Sequence, residues 1–354
     1  MEISDLLEMV VEQQASDLHL TVGIPPTVRL HGKLTHLDLP PLHEADTKAL
    51  IGQLLEGKPL LIEKFREKGE VDFSYSLKDV GRFRVNVYKQ RGSWASALRL
   101  IGVDIPSMEA LGLPKKILEN LADQKRGLIL VTGPTGSGKS TTLATIVDYM
   151  NRKRHEHILT LEDPIEYLHF HKNSMVNQRE IGFDSNSYAN SLRAALREDP
   201  DVILVGEMRD QETIATAITA AETGHLVLST LHTIGAPQTI DRIIDVFPPH
   251  QQQQIRVQLA NIIKGVISQQ LLPRSDIKGR CVALEIMLAT PGISNLIRDE
   301  KTHQIYSQIQ TGGMMGMTTM DLSVANLYKS GKISLETAHQ YAQNVDEFKR
   351  IVGR

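Results

Sequence analysis

Nine consecutive residues, Gly133-Pro134-Thr135-Gly136-Ser137-Gly138-Lys139-Ser140-Thr141, satisfy the pattern G-x-x-x-x-G-K-[ST], whose chemistry is the gripping of phosphates. The glycines let successive backbone amides converge on phosphate oxygens, and a helix that follows adds the positive end of its dipole. Lys139 is then placed to reach the β and γ phosphates, and the Ser140 hydroxyl to ligate magnesium. The ligand implied is a nucleoside triphosphate with Mg2+.

Cleaving a triphosphate needs more than grip, because phosphoryl transfer is catalysed mainly by positioning and charge neutralisation. A carboxylate must hold the magnesium shell, and another group must orient water. Two acidic candidates follow apolar runs. Val202 to Val205 leads through Gly206 to Glu207, at a C-terminal strand tip where parallel α/β sheets bind ligands. Gly206 stands where an aspartate is usual, and Glu207 is preferred over Asp201, which lies at the strand's other end. Glu207 is thus the candidate for both the metal shell and catalysis. The second candidate follows Ile158 to Leu161, where Glu162, Asp163 and Glu166 put three carboxylates within five residues. Such crowding is costly unless a cation neutralises it. Either Glu166 or Glu162 is the general base for water on this reading, with Asp163 in support. His225 and His232 flank the run Leu226 to Ser229, the first entering the strand and the second leaving it. Only His232 is expected on the edge that carries the phosphate loop, where it would sense the γ phosphate.

These residues need a frame. Leu128 to Thr132, Ile158 to Leu161, Val202 to Val205 and Leu226 to Ser229 are strands apolar on both faces, with helical patterns between them. That combination implies a parallel sheet covered by helices, an α/β architecture. A helical pattern is read from Gln251 to about Leu272. Ahead of this region, residues 1–101 mix a short amphipathic helix (Ile3, Leu6, Leu7, Val10, Val11) with alternating stretches, as a small α+β domain does. Within Arg82 to Tyr88, Phe83, Val85 and Val87 point to one face and Arg82, Arg84, Asn86 and Tyr88 to the other. Gly102, Pro106, Gly112 and Pro114 break regular structure, so residues 102–114 are read as an interdomain hinge and 115–354 as the second domain.

Composition narrows the class. The chain has 354 residues, enough for two domains. Its 39 Lys and Arg against 42 Asp and Glu give a net charge of −3, and this argues against a non-specific nucleic-acid binder. A ring that translocates nucleic acid would need a basic channel with aromatic stacking residues, and the chain has only 7 Phe, 8 Tyr and 1 Trp. The single cysteine, Cys281, excludes an internal disulfide or a multi-cysteine zinc ribbon and favours a reducing, cytoplasmic setting. The first 28 residues hold five acids and no Lys or Arg, so no secretory signal is expected. No apolar run is long enough for a membrane span, so any work at a membrane would go through partners.

At these motifs the sequence resembles the type II/IV secretion and pilus family of ring ATPases, and within it the PilT-type retraction motors of type IV pili. The resemblance covers essentially the whole chain. It implies an N-terminal PAS-like α+β domain and a RecA-like P-loop ATPase domain, with an acidic box (Glu162, Asp163, Glu166), a Walker B strand ending Gly206-Glu207, and a histidine box (His225, His232). It further implies a homohexamer that hydrolyses ATP with Mg2+, in which arginines matching Arg82, Arg84 or Arg99 reach a neighbouring subunit's nucleotide. The partner implied is an inner-membrane pilus platform protein, with the motor peripheral to that membrane and twitching motility as the outcome. Pro291 to Glu300 is similar to the retraction motif AIRNLIRE, departing from it at Gly292, Ser294 and Asp299. Met314, Met315, Met317 and Met320 suggest an adaptable apolar patch, packed or in contact with a neighbouring subunit.

Three competing readings stay open. An accessory retraction ATPase has the same motifs. An extension or type II secretion ATPase commonly carries four cysteines and a longer N-terminal extension, neither of which is found here. A nucleotide-dependent scaffold without turnover would not need Glu166 and Glu207.

Overall fold

The computed structural model describes residues 1–30, 32–78, 80–101 and 105–353. The chain divides into two compact units, one made of Met1–Asp104 with Pro164–Leu168, the other of Ile105–Asp163 with His169–Arg354. Gly102, Val103 and Asp104, at the start of the expected hinge, lie outside the described residues. From Ile105 onward the chain packs with the second unit, and Met108 and Leu113 are buried in its core.

The first unit is one antiparallel sheet backed by helices. Its strands are β1 (Asp17–Leu20), β2 (Thr27–Leu30), β3 (Lys33–His36), β4 (Glu70–Leu77), β5 (Gly81–Gln90) and β6 (Ser93–Ile101), in the order β3-β2-β1-β6-β5-β4. Period-2 alternation makes the sheet two-faced. Leu18, Val28, Phe83, Val85, Val87 and Leu98 are buried together with Leu6, Leu7, Leu50, Leu54 and Phe65 of the helices Ile3–Glu12, Glu44–Leu55 and Pro59–Lys68. On the other face Arg99 stands opposite Arg84 on β5 and Asp17 on β1. Arg99 Nε donates to Asp17 Oδ1 at 2.8 Å, with its own side chain 72% exposed.

The second unit is α/β. Strands β7 (Gly127–Thr132), β8 (His157–Glu162), β9 (Met175–Glu180), β10 (Val202–Val205), β11 (Leu226–Leu231), β12 (Ile263–Pro273) and β13 (Arg280–Leu288) form one sheet, ordered β13-β12-β7-β11-β10-β8-β9. All neighbours run parallel except the edge pair β12 and β13. Both faces are covered, as continuous apolar runs require. Leu128 and Leu130 of β7 face the helices Gln211–Glu222, Ala236–Asp245 and Pro249–Ile262, and Ile129 and Val131 face Lys115–Ala122 and Lys139–Lys153. A separate C-terminal core joins Leu272 and Ala283 to Met320, Val324, Ala325 and Phe348.

One reading of the sequence is corrected here. The helix starting near Gln251 does not run to Leu272 but stops at Ile262, and β12 begins at the next residue. Ile263, Val266 and Ile267 are β-branched and Gly265 is a poor helix former, so a segment that can pair on both sides becomes strand. The register with β7 shifts between Ile263 and Gly265, where the chain settles into the sheet. The methionine patch also divides: Met317 and Met320 are buried, while Met314 and Met315 are exposed.

Candidate active site

The phosphate loop joins the end of β7 to the helix Lys139–Lys153. Two of its glycines are required by their surroundings. Gly133 has φ +141°, and a Cβ there would lie 2.2 Å from the Gln269 carbonyl oxygen. Gly138, which caps the helix, has φ +87°, and its Cβ would press on Gln269 Nε2 at 3.2 Å. Neither backbone conformation suits a residue with a side chain. Lys139 is buried, and its ammonium donates to the Gly133 and Pro134 carbonyls at 2.8 and 3.1 Å. Thr135 and Gly136 at the loop tip are exposed, Ser137 is buried, and Ser140 and Thr141 are partly exposed in the first helical turn.

Glu207 follows β10, where the turn is held from two sides. Gly206 N–H donates to the Leu161 carbonyl at 2.7 Å, and Thr230 of β11 donates its hydroxyl to the Gly206 carbonyl at 2.7 Å. The Glu207 side chain, 17% exposed, meets His232 Nε2 at 3.2 Å and Arg209 Nη2 at 2.8 Å. The carboxylate holds the Arg209 guanidinium above its ordinary pKa through that hydrogen bond and the charge attraction. His232 Nδ1 lies 3.4 Å from Lys139 Nζ. With its proton on Nε2 the imidazole accepts from the ammonium and donates to the carboxylate, so Lys139, His232 and Glu207 form a connected row. They come from the ends of β7, β11 and β10, three neighbouring parallel strands.

The acidic run divides. Glu162, the last residue of β8, accepts at Oε1 from Thr160 Oγ1 at 2.7 Å and Gln178 Nε2 at 3.2 Å. Asp163 is exposed. Both act with Glu207 on the Tyr188 phenol, whose pKa is pushed up by burial first and then by the charges of Asp163, Glu207 and Glu162. Glu166 is exposed and belongs to the segment that groups with the first unit.

The remaining candidates lie elsewhere. His225 is at the opposite end of β11 from His232, its Nδ1 2.9 Å from the Ala220 carbonyl. Arg82, Arg84 and Arg99 share the polar face of the first unit's sheet, where Arg82 Nη1 donates to Ser76 Oγ at 3.4 Å. In the second unit the structure adds residues that the motifs did not reveal, namely Gln269, Thr230, Arg209 and Tyr188. Arg209 alone had a sequence signal, its place two residues after Glu207.

Ser140 and Glu207 offer the hard oxygen donors that magnesium takes. Among the described residues no group of three or more His, Cys, Asp or Glu could hold a metal ion. A hydroxyl and a carboxylate are donors that suit magnesium, which usually takes one or two protein oxygens and fills its shell with phosphate and water. Among the described residues no helix is long and apolar enough to cross a membrane.

Comparison with known proteins accounts for the whole chain. It is 48% identical over 348 residues to the type IV pilus retractation ATPase PilT of Pseudomonas aeruginosa, an alignment covering 98% of this chain and 100% of that protein. It is 47% identical over 319 residues to a twitching motility protein of Neisseria gonorrhoeae, covering 90% of this chain and 84% of that one. A crystal structure of the pilus retraction motor PilT with bound ADP superposes with a TM-score of 0.92 at 50% identity, covering 99% of each chain. A family model described as type II/IV secretion system protein matches residues 2–345. With a family model matching residues 2–345 and a relative 48% identical over 98% of its length, the chain belongs to the type II/IV secretion system protein family, alongside the retraction ATPases of type IV pili.

Proposed function

We propose that the protein is a magnesium-dependent ATPase that powers type IV pilus retraction, and so twitching motility. It works as a cytoplasmic homohexamer acting on an inner-membrane pilus platform protein. The observation that carries the catalytic part is the row Lys139–His232–Glu207 at the tips of three adjacent strands. Near-full-length identity to a retraction ATPase supports the biological part. A phosphate loop after β7, with β7 lying between β11 and β12, supports a RecA-like second domain. A helix-backed antiparallel sheet supports a PAS-like first one.

In this reading the amides of Gly136 to Thr141 surround the phosphates, and Lys139 leaves its carbonyl partners to clamp the β and γ groups. Magnesium at Ser140 would neutralise phosphate charge. Glu207, which pairs with Arg209 and His232, would hold the water shell of a bound metal, and His232 would sense the γ phosphate. Glu166 or Glu162 is the base, with Asp163 in support and His225 bracing the far end of β11; Glu162 Oε1 already accepts from Thr160 and Gln178. Arg82, Arg84 and Arg99 are the candidates for a finger reaching a neighbouring copy's nucleotide, a contribution of ~10³ to 10⁵ in rate where such fingers are known.

Two experiments test this. The purified chain should hydrolyse ATP only with magnesium, and Lys139→Ala should abolish turnover; normal turnover by Lys139→Ala defeats the catalytic assignment. Deleting the gene should leave cells with surplus pili that do not retract, whereas bald cells would indicate extension.

A further inference from the structure

The phosphate loop is held by a residue outside every motif. Gln269 of β12 is 1% exposed, and both ends of its amide are engaged. Nε2 donates to the Ser137 carbonyl at 2.6 Å, and Oε1 accepts from Thr142 Oγ1 at 2.9 Å. One arm reaches the loop, the other the first turn of the helix that follows. The residue before it, Ser268, pairs with Thr132, the last residue of β7, and their hydroxyls are 2.7 Å apart. Gln269 therefore stands level with the start of the loop, which is why Gly133 has no room for a Cβ on its side and Gly138 only a tight fit.

The consequence follows from peptide geometry. In a trans peptide the carbonyl and the next residue's N–H point in opposite directions. Drawing the Ser137 carbonyl toward Gln269 turns the Gly138 N–H away from the strand and into the loop's concave side, where phosphate oxygens are gripped. The Thr142 hydroxyl fixes which end of the amide faces the loop: with Oε1 accepting from Thr142, Nε2 is the end left to donate. We propose that Gln269 is a positioning residue that presets the Gly138 amide for the nucleotide's phosphates, so that the cradle is formed before nucleotide arrives. The gain is in binding: an amide already aimed costs no reorganisation when phosphate enters. It also ties the loop to the β12–β13 hairpin, whose other face packs on the C-terminal helices through Leu272 and Ala283.

This inference rests on the nucleotide-binding reading, and the test separates the two. ADP binding is measured by calorimetry on the full chain and on Gln269→Met, Gln269→Glu and Thr142→Val, together with thermal midpoints without nucleotide. Gln269→Met removes both arms. Gln269→Glu keeps the acceptor but, ionised, cannot donate to the Ser137 carbonyl. Thr142→Val keeps the packing and frees the amide to rotate. Each glutamine variant should weaken ADP binding by roughly tenfold or more, and Thr142→Val by a smaller factor. KM for ATP should rise in parallel while kcat holds, the signature of lost ground-state binding. A folded variant of Gln269 that binds ADP as tightly as the unsubstituted chain overturns the proposal, and if neither folds, parental affinity in Thr142→Val does so. Absence of ADP binding by the unsubstituted chain would instead defeat the nucleotide reading itself.

Discussion

Glu207 carries three demands in one carboxylate: an arginine at 2.8 Å, a histidine at 3.2 Å, and the role proposed for it beside the metal shell. Arg209 is 72% exposed, so water screens its pair with Glu207. Glu207→Gln keeps the shape and one acceptor oxygen, so it can serve Arg209 or His232 but not both, and it removes the carboxylate's charge. Hydrolysis should slow by ~10² to 10⁴, the usual worth of a positioned acid or base. ADP affinity should stay near the parental value, because the loop that grips phosphate is untouched. Single-turnover kinetics beside calorimetry would check this, and hydrolysis at the parental rate would remove Glu207 from the chemistry. The places of the loop and of Glu207 were legible in the sequence because the patterns that fix them are local: a glycine run between a strand and a helix marks the loop, and a strand tip needs only a strand before it. Gln269 and Thr230 were not, since their roles come from strand neighbours that the sequence does not name.

The misjudged helix end at Ile262 has the same root. Apolar residues from Ile255 to Leu272 fit a helical period about as well as a buried strand, and only pairing with β7 on one side and β13 on the other decides for strand. Missing that strand meant missing Gln269 with it. The helix Pro291–Arg298, which carries the segment similar to the retraction motif, fully buries Ile293 and Ile297. Its departure at Ser294 has a structural answer. Ser294 Oγ donates to the Ala260 carbonyl at 2.9 Å, one of the last four carbonyls of the helix Pro249–Ile262, which lack partners within their own helix. The serine thus fastens two packed helices where the resembling motif has arginine. Ser294→Ala should cost about 1 kcal/mol, read as a lower urea midpoint at unchanged slope, with ADP affinity unaltered. An unchanged midpoint would mean that the hydroxyl contributes no net stability.

Burial lowers the pKa of His19 in the first unit and of His169 in the second, and this gives the chain an acid sensitivity that its charge count does not suggest. In the second unit burial pushes the His169 imidazole down to about 4, against an ordinary value of 6.5; Lys172 adds to the effect and Asp148 opposes it. In the first unit His19 is lowered chiefly by burial, with Arg29 and Arg99 assisting against Asp17. For His169 the sign is set by the folded value lying below the unfolded one. Between pH 6.5 and about 4 the unfolded chain holds more protons, so stability is complete above this window and drains away as pH falls through it. A shift of that size corresponds to about 3 kcal/mol at most. The upper part of the window lies above the ordinary carboxylate range, so loss between pH 6.5 and about 5 belongs to the imidazoles and not to acids such as Asp276, held near 2 by Arg274. His169→Gln should therefore flatten the fall in stability of the second unit between pH 7 and 5 and leave the first unit's dependence, set by His19, as it was. Denaturant titrations at the two pH values, with a fluorescent label in each unit, would show it, and an equal fall with and without His169 would mean that its ring already reaches water in the folded chain.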